Sequence, residues 1–447
     1  MSSEEYAALS QIENSGILRG NMQKLRRIFE NGFLQESAVK DIKHPLTDDI
    51  EYYSMYKVEQ LILQITQQCN LRCSYCTYSG NYYNRGHSDK KMTFEVARKA
   101  IDFYFEHSRE KDVRTIAFYG GEPLFEFSLL KKCVEYAESK TKDKELFFYL
   151  TTNGTLLTEQ IISYLREHRV NVTVSLDGYK EAHDSNRKEK NGEGSFDLIM
   201  DNLRKMREYD EDFFATVRFN TVVSPKANWS RVFDFFSESK LINPYHVKLT
   251  PVADEGLIDK TIVETDESFW VPYRFEYMKV LFYMVNKMKF ADIHPSYEKG
   301  MYDIKRLYNT LQHHYYEQSK EHHGGPCIPG VQRLFVTTVG EFYPCERVSE
   351  TMPEMNIGSL DTGYNIGKMR TLLNIGDLSR EHCLDCWNLR LCKICPGQIE
   401  PVDNEMTYEG KLARCMISKN DVLESMRELC VLNENGLAFL EEGEYEA

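Results

Sequence analysis

The chain has 447 residues, of which 42% are hydrophobic and 28% are charged, and its net charge is −14. This length predicts about three domains or sub-domains with an ample core, which excludes collagen-like and disordered chains. The acidic balance argues against a general nucleic-acid binder. The first ten residues lack a basic region followed by an apolar run, and no segment approaches the ~18 consecutive apolar residues of a membrane span. We therefore expect a cytoplasmic protein with neither a nucleic-acid nor a membrane partner.

The first 55 residues predict a small helical region. Ser2 and the acidic residues after it are typical of a helix N-terminus, and residues 21–29 repeat apolar side chains at a helical period. Asn31 and Gly32 are typical of a helix end. We interpret the region as a packing helix pair in preference to a separate binding module.

Between residues 56 and 255, short apolar runs alternate with amphipathic stretches. The runs predicted as strands are 61–65, 115–119, 146–150, 170–176, 215–223 and 246–251. The stretches predicted as helices are 93–105, 129–137, 159–165 and 196–206. This alternation predicts an α/β fold whose parallel sheet curls into a partial (β/α)6 barrel of the TIM type. In such barrels the functional site lies at the carboxyl ends of the strands.

The remainder of the chain divides into three predicted parts. Residues 256–324 are rich in aromatic residues and helix formers, and we expect them to form helices that bridge two domains and contribute core. Residues 325–430 are rich in cysteine and predict a domain with little regular structure. Residues 431–447 form an acidic tail.

A first group of cysteines occupies one short loop. Without a secretion signal, a cysteine is more often buried, metal-bound or catalytic than disulfide-bonded. Cys69, Cys73 and Cys76 directly follow the first predicted strand. Three thiolates do not complete a tetrahedral zinc site, but they can bind three irons of a four-iron, four-sulfur cluster and leave the fourth iron open. A zinc site completed by His87, or a set of buried thiols, is the alternative.

A second group of cysteines lies in the last third of the chain. Its members are Cys327, Cys345, Cys383, Cys386, Cys392, Cys395 and Cys415. A zinc ribbon is the competing interpretation, because the C-x2-C spacing is also a zinc spacing. Seven ligands do not divide into two complete four-cysteine zinc sites, so iron–sulfur clusters are favoured. Cys133 and Cys430 are expected to be buried structural thiols.

The first loop resembles the signature of the radical S-adenosylmethionine (SAM) enzymes, and residues 120–123 resemble the GGEP motif of that family. The resemblance implies that SAM binds the open iron and is cleaved to a 5′-deoxyadenosyl radical. It assigns the SAM amino group to the GGEP motif, the ribose to residues at strand ends, the carboxylate to an arginine and the adenine to an aromatic residue. The residues so implied are Tyr75, Gly120, Gly121, Glu122, Thr152, Asn153, Ser175, Asp177 and Arg187.

The second group resembles the SPASM domain that follows the barrel in many radical SAM enzymes. The spacing from Cys392 to Cys395 is x2, where the family usually has x3. The resemblance implies two auxiliary four-iron clusters, and so three clusters in all. An outer group of Cys383, Cys386, Cys392 and Cys415 would hold one completely. An inner group of Cys327, Cys345 and Cys395 would leave one iron open for a substrate thiolate.

Residues 76–80, with Asn84 and Arg85, make the chain resemble maturases of cysteine-rich precursor peptides, over roughly residues 55–430. Such enzymes, which include the sactipeptide and ranthipeptide maturases, link a cysteine sulfur to a carbon of another residue. The resemblance implies a cysteine-rich precursor peptide and a flavodoxin- or ferredoxin-type electron donor as partners, and an anaerobic bacterium as the source. The first 55 residues would then be a partial peptide-recognition element.

Two other functions stay open. One is a different SPASM chemistry: carbon–carbon crosslinking, epimerisation, or a sulfatase-type oxidation of Cys or Ser, which a catalytic acid or base near SAM would favour. The other is a non-catalytic zinc or iron–sulfur binding module. The sequence identifies no general base.

Overall fold

The computed structural model describes residues 3–15, 22–30, 37–83, 85–141, 144–312 and 319–437. Over these residues the predicted α/β class is confirmed, with a partly parallel sheet of ten strands at its centre. The predicted helix start at Ser2, the helix end at Asn31 and Gly32, Asn84, and residues 438–447 of the acidic tail lie outside the described residues.

The barrel contains six parallel strands, each predicted from the sequence. Its elements begin after a short N-terminal region, which comprises α1 (Ser3–Ser15), α2 (Met22–Glu30), β1 (Asp41–Ile42) and α3 (Ile50–Tyr56). The barrel strands are β2 (Gln60–Thr66), β3 (Val113–Gly120), β4 (Glu145–Thr152), β5 (Val170–Ser175), β6 (Arg218–Val223) and β7 (Val247–Pro251). The barrel helices are α4 (Phe94–His107), α5 (Phe127–Lys140), α6 (Glu159–Glu167), α7 (Lys180–Asn186), α8 (Phe196–Tyr209), α9 (Glu211–Ala215) and α10 (Trp229–Glu238).

The strands follow one another in chain order from β2 to β7, and every neighbouring pair is parallel. All six therefore end at the same edge of the sheet, as a βα series requires. The fifth predicted strand, 215–223, begins too early, because Ala215 is the last residue of α9. Threonine side chains cap two of the helices: Thr93 accepts from the Val96 N–H at the start of α4, and Thr158 accepts from the Ile161 N–H at the start of α6.

The cysteine-rich region is joined to the barrel through the sheet. Strand β9 pairs in parallel with β2, the first barrel strand, and β10 to β12 continue the sheet in antiparallel order. The region has more regular structure than we expected, above all a helix of 27 residues near its end. Its elements are β8 (Lys320–Glu321), β9 (Leu334–Val336), β10 (Glu341–Tyr343), β11 (Gly358–Ser359), β12 (Gly363–Tyr364), α13 (Ile366–Leu373), α14 (Arg380–Leu384), β13 (Pro401–Val402), β14 (Glu405–Met406) and α15 (Tyr408–Glu434).

Part of the N-terminal region lies against the cysteine-rich region. Strand β1 pairs in parallel with β8. The His44 N–H donates to Asn374 Oδ1 at 2.8 Å, and Asn374 also bonds to the Thr47 hydroxyl. These hydrogen bonds link residues more than 300 positions apart in the chain. Val39 and Ile42 also pack with Cys383, so the N-terminal segment helps to cover the C-terminal cysteines.

Two helices form the expected bridge, α11 (Glu267–Met284) and α12 (Glu298–Gln312). One aromatic face of α11 packs around the buried Trp229, whose ring centroid lies 5.0 Å from that of Tyr273. The expected core role is confirmed for that face. The opposite face leaves Phe275 and Phe282 exposed. None of the described helices has both the length and the apolar character needed to span a membrane.

Candidate cofactor and cluster site

The first cysteine loop follows the end of β2. Cys69 and Cys73 are buried and Cys76 is half-buried. Burial raises the pKa of Cys69 to about 11 and that of Cys73 to about 12. The loop therefore keeps three thiols close to one another and away from bulk water.

Each of the three sulfurs lies near an N–H donor. The donors are the Leu71 N–H (3.4 Å) and Asn153 Nδ2 (3.8 Å) to Cys69 Sγ, Arg187 Nη1 (3.9 Å) to Cys73 Sγ, and the Tyr78 N–H (3.4 Å) to Cys76 Sγ. Donors directed at sulfur stabilise negative charge on the ligands of an iron–sulfur cluster and help to set its reduction potential.

Over the described residues, no three His, Cys, Asp or Glu side chains converge on a point where one metal ion would sit. His87 instead stacks on Tyr78, and its Nδ1 lies 3.3 Å from the Gln67 carbonyl oxygen. A cluster needs no such convergence, because each cysteine binds its own iron. The zinc alternative with His87 as a ligand gains no support from this arrangement.

The double glycine at the end of β3 brings that strand close to the cysteine loop. The Gly121 N–H donates to the Thr66 carbonyl, and the Glu122 N–H donates to the Gln68 carbonyl, each at 2.8 Å. A Cβ on Gly121 would lie 2.0 Å from the Gln68 oxygen, so a side chain has no room there. Both glycines are therefore required for the approach of one backbone to another, immediately before Cys69.

Glu122 is fully buried beside this turn. Its carboxylate accepts from the Asn153 N–H at 2.7 Å, the Thr152 hydroxyl at 2.8 Å and the Leu124 N–H at 3.0 Å. Burial raises the pKa of Glu122 to about 7 against these hydrogen bonds. Thr152 and Asn153, both predicted as SAM contacts, lie at the end of β4 and thus hold the Glu122 carboxylate in place.

Asp177 and Arg187 form a buried ion pair. Arg187 Nε lies 3.1 Å from Asp177 Oδ2, and the Tyr75 hydroxyl donates to the same oxygen. The other oxygen, Oδ1, accepts from the Val222 N–H at 3.1 Å. The Arg187 guanidinium also lies over the Tyr75 ring at 5.5 Å. The structure therefore brings together three predicted SAM contacts, Tyr75, Asp177 and Arg187, as partners of one another.

A neutral histidine, His183, is hydrogen-bonded to the backbone of this ion pair, directly at Asp177 and through Ser195 at Arg187. Burial lowers the pKa of His183 to about 3, so its ring is uncharged at neutral pH. Its Nδ1 accepts from the Asp177 N–H at 3.2 Å, which leaves the proton on Nε2, 3.0 Å from Ser195 Oγ. Ser195 donates in turn to the Arg187 carbonyl at 2.8 Å. The remaining predicted contact, Ser175, is half-buried at the end of β5.

The C-terminal cysteines gather in the two predicted groups. Burial raises the pKa of Cys415, Lys411 opposes that rise, and the nearby thiols of Cys383, Cys392 and Cys386 add to it. These four residues are the outer group, supplied by α14, the segment after it and α15. Their assignment as cluster ligands stays a prediction.

The inner group is built differently. Burial raises the pKa of Cys345 to about 11, and Glu346 and Cys395 add to the rise. Burial likewise raises the pKa of Cys395, with Cys327 among the groups that add to it. Cys327 itself is exposed. The group therefore lies beside the ion pair of Glu346 and Arg333 and is open to solvent on one side.

The two remaining cysteines differ from each other. Cys133 is fully buried on α5, as expected, and burial raises its pKa to about 12. Cys430 is exposed near the end of α15, so the expectation of a buried thiol is wrong for this residue. Its side of the helix is not covered by the core.

Sequence reasoning missed a polar cluster inside the barrel. Gln64, in the fully buried part of β2, donates to Glu350 Oε1 at 2.7 Å and to the Tyr78 hydroxyl at 3.1 Å. Arg85 is also buried, and its Nε lies 3.2 Å from Glu350. The phenol of Tyr119 lies in the same region, and burial raises its pKa well above the ordinary range. The polar Gln64 within an apolar strand run was the available signal.

Sequence reasoning also missed three buried residues around the outer group, Lys411, His323 and Ser379. Lys411 is completely buried, and its ammonium group contacts the Cys383 sulfur at 3.4 Å. No motif pointed to these residues, because they are far apart in the chain.

Residues 63–237 match the family model described as the radical SAM superfamily. The chain therefore carries a radical SAM domain. The predicted cysteine loop lies within the matched residues, and so does most of the barrel, whose last strand, β7, follows them.

Named relatives extend this finding. The chain is 31% identical to the cysteine-type anaerobic sulfatase-maturating enzyme of Clostridium novyi, over 40% of this chain and 47% of that protein. It is 21% identical to the radical SAM cyclopropyl synthase TigE of Paramaledivibacter caminithermalis, over 91% of this chain and 82% of that protein. The matched segments span about half the length of the first curated relatives, at 54%, 47% and 44%.

A solved structure shares the fold. Native anSMEcpe with bound AdoMet and the Kp18Cys peptide superposes with a TM-score of 0.56 at 21% identity, covering 84% of this chain and 99% of that one. At this identity the likeness shows the architecture, which is the predicted barrel followed by a cysteine-rich region.

A radical SAM domain implies a four-iron, four-sulfur cluster and SAM. The first loop fits the cluster, because its three thiols each have an N–H donor. When bound, the pair would supply a carbon-centred radical that abstracts hydrogen. The chain's own residues would position the ligands: Gly120 and Gly121 close the turn against the cysteine loop, and Glu122 supplies a buried carboxylate.

Proposed function

We propose that the chain is a peptide maturase that uses its radical SAM domain to form thioether crosslinks between a cysteine sulfur and a carbon of a ribosomally made precursor peptide. Hydrogen abstraction from the peptide carbon would be followed by addition of the peptide sulfur. The surplus electron would leave through auxiliary clusters on the C-terminal cysteines. A flavodoxin or ferredoxin would reduce the first cluster.

The observation that carries this proposal is the inner group of three cysteines. The other nine of the twelve cysteines are accounted for elsewhere: three in the first loop, four in the outer group, Cys133 in the barrel and Cys430 exposed on α15. The 15 residues from Cys415 to Cys430 correspond to about 22 Å of helix, which separates Cys430 from the outer group. Three protein ligands would leave one iron of a four-iron cluster free to bind a peptide thiolate.

The side chains near this group favour a peptide substrate. Cys327 is exposed, so the group can be reached from solvent. The Arg85 side chain lies over the rings of Tyr78 and Phe335, each at 5.5 Å. Its Nε pairs with Glu350 at 3.2 Å and its Nη2 donates to the Val348 carbonyl at 2.7 Å, whereas Nη1 has no hydrogen-bond partner over the described residues. This remaining donor suits a carbonyl group of a peptide held between the barrel and the cysteine-rich region.

The test begins with anaerobic reconstitution with iron and sulfide. We expect about twelve irons per chain and release of 5′-deoxyadenosine after addition of dithionite and SAM. Cysteine-containing peptides are then incubated with the loaded enzyme. A thioether product loses a pair of hydrogen atoms, no longer reacts with iodoacetamide and carries no aldehyde group. SAM cleavage with no such product from any cysteine-rich peptide would contradict the proposal.

One observation favours a second candidate, the oxidation of a protein Cys or Ser to an aldehyde. Glu346 directly follows Cys345, and one of its oxygens, Oε2, is buried without a hydrogen-bond partner over the described residues. Its other oxygen pairs with Arg333 at 2.8 Å. A buried carboxylate oxygen with no donor is suited to accept a proton from a substrate.

The same assay separates the two candidates. An aldehyde product reacts with a hydrazide probe, whereas a thioether does not. Glu346→Gln removes the carboxylate and keeps the shape. We expect it to abolish aldehyde formation and to leave thioether formation within a few-fold of the unsubstituted enzyme, with 5′-deoxyadenosine release as the control in both cases.

A further inference from the structure

The outer cysteine group surrounds a buried cation. The Lys411 side chain has no exposed surface, and it is the start of α15 that carries it into the interior. Its Nζ donates to Ser379 Oγ at 2.7 Å, to Cys383 Sγ at 3.4 Å and to His323 Nε2 at 3.4 Å. The three N–H bonds of the ammonium group are therefore all used, and one of them points at a sulfur of the outer group.

This cation lacks a carboxylate partner. Over the part of the chain that the structure describes, no Asp or Glu oxygen lies within 4.0 Å of Lys411 Nζ. Arg414, on the same helix and also buried, differs in this respect, because it pairs with Asp254 and Glu255 at 3.2 Å each. A buried charge is costly unless a counter-charge is near. The nearest groups that can carry negative charge are the sulfurs of the outer group.

Apolar residues seal this arrangement from water. Val39 and Ile42, from the N-terminal segment, pack with Leu389 against Cys383. Ser379 Oγ, which accepts from Lys411, also lies within hydrogen-bonding distance of Cys383 Sγ, at 3.3 Å. In this apolar surrounding, one positive charge acts on the sulfurs with little screening.

We propose that the ammonium group of Lys411 supplies the counter-charge of a four-iron cluster on Cys383, Cys386, Cys392 and Cys415. This charge raises the reduction potential of the outer cluster above that of the inner one and so sets the direction of electron transfer. This inference rests on the outer cluster of the proposed function. The added electron makes the outer cluster more negative by one charge, which a fixed cation nearby stabilises.

The inner group has different surroundings. Glu346, which directly follows Cys345, pairs with Arg333 at 2.8 Å, and Glu255 pairs with Arg414 at 3.2 Å. The charges of these groups are therefore already paired, whereas that of Lys411 beside the outer group is not. The difference between the two groups therefore defines a direction of electron transfer, from the inner group to the outer one. An electron released near Cys345 is more stable on the outer cluster, beneath the N-terminal segment.

The experiment uses the full chain with Cys69, Cys73 and Cys76 replaced by alanine, so that only C-terminal clusters are present. Iron is counted, and the midpoint potentials are measured by anaerobic titration followed by electron paramagnetic resonance. The outer signal is assigned as the one lost in Cys383→Ala. In Lys411→Met we expect an unchanged iron content and a lower midpoint potential of the outer cluster. The equilibrium constant for its reduction should fall at least tenfold, which corresponds to a drop of about 59 mV for one electron.

Two variants act as controls. Lys140→Met removes the same charge from α5, where Lys140 is exposed and pairs with Asp102, and it should leave both potentials unchanged. Lys411→Arg keeps the charge and should retain most of the potential of the unsubstituted protein. Circular dichroism of each variant checks that the fold persists.

Each outcome is informative. Equal iron with an unchanged outer potential in Lys411→Met overturns the inference. If Lys411→Met loses the outer iron, restoration by Lys411→Arg supports the counter-charge role, and failure of the arginine to restore it overturns that role. Absence of iron from the outer cysteines in the parent protein overturns the inference as well, whereas thioether formation is decided separately by the peptide assay.

Discussion

The two cysteine regions of this chain are organised in different ways. Cys69, Cys73 and Cys76 lie within eight consecutive residues of one loop, and the N–H donors to their sulfurs come from the backbone of that stretch and from Asn153 and Arg187. The seven C-terminal cysteines come from loops and helices up to 88 residues apart, and tertiary packing divides them into two groups. A site built on one loop can be recognised from spacing, whereas the partition of a dispersed set depends on the fold.

The two regions also balance charge differently. The first loop faces an arginine that already has a carboxylate partner, since Arg187 pairs with Asp177. The outer group faces Lys411, which has none over the described residues. The first region is thus near neutrality before any cluster binds, while the outer group provides a positive charge in advance.

The largest expected effect is the loss of SAM cleavage when the first cysteine region, but not the C-terminal region, is altered. Cys73→Ala should abolish release of 5′-deoxyadenosine and lower bound iron by about four per chain, because one cluster loses a ligand and the C-terminal groups are untouched. Iron analysis and chromatography of the SAM products measure both effects. Cys133→Ala, at a buried thiol outside all three groups, should change neither. Full SAM cleavage by Cys73→Ala would contradict the assignment of the first loop.

The sequence allowed prediction of the parts that depend on neighbouring residues. The cysteine loop, the double glycine at the end of β3 and the six strands were all predictable, because spacing and periodicity are local properties. The bond from Gln64 to Glu350 joins residues 286 positions apart, and the one from Lys411 to His323 joins residues 88 apart. No periodicity links such pairs, so these contacts could not be anticipated.

The role of Asp177 also needed the fold. The family resemblance implied that it holds the ribose of SAM, but its carboxylate is buried and bonds to Arg187, Tyr75 and the Val222 N–H. A strand-end aspartate and an arginine ten residues later give no sign in the sequence that they will pair. The pairing follows from α7, which returns the chain to the end of β5.

The second prediction tests the charge balance of the first region. Arg187→Met leaves Asp177 buried without its cation and should destabilise the apoprotein by about 3 kcal/mol, the usual result of breaking a buried ion pair. Urea denaturation monitored by circular dichroism measures this change. Arg204→Met is the matched control, because Arg204 pairs with Asp201 on the exposed face of α8 and should change stability by less than about 0.5 kcal/mol. Equal effects of the two substitutions would contradict the buried role.

The third prediction concerns pH. Burial raises the pKa of Glu122 from 4.5 to about 7, so the folded protein keeps a proton that the unfolded chain loses. The contribution of this proton to stability is complete below the unfolded pKa and is lost as the pH rises through about 7. Its size is on the order of 3 kcal/mol. The free energy of unfolding of Glu122→Gln should therefore fall less between these pH values than that of the unsubstituted protein, even if the glutamine lowers stability throughout. Parallel pH dependences of the two proteins would show that Glu122 titrates normally.

The smallest expected effect is the one that bears most directly on the inner group. Cys430 is exposed and lies about 22 Å along α15 from Cys415, so it is placed away from the outer group. Cys430→Ser should keep the full iron content and the same electron paramagnetic resonance signals as the unsubstituted protein, whereas Cys327→Ala should lose the inner cluster. A loss of iron in Cys430→Ser would mean that a fourth cysteine completes the inner cluster. In that event no iron would remain for a peptide thiolate, and the second candidate, with Glu346 as the proton acceptor, would be favoured over thioether formation.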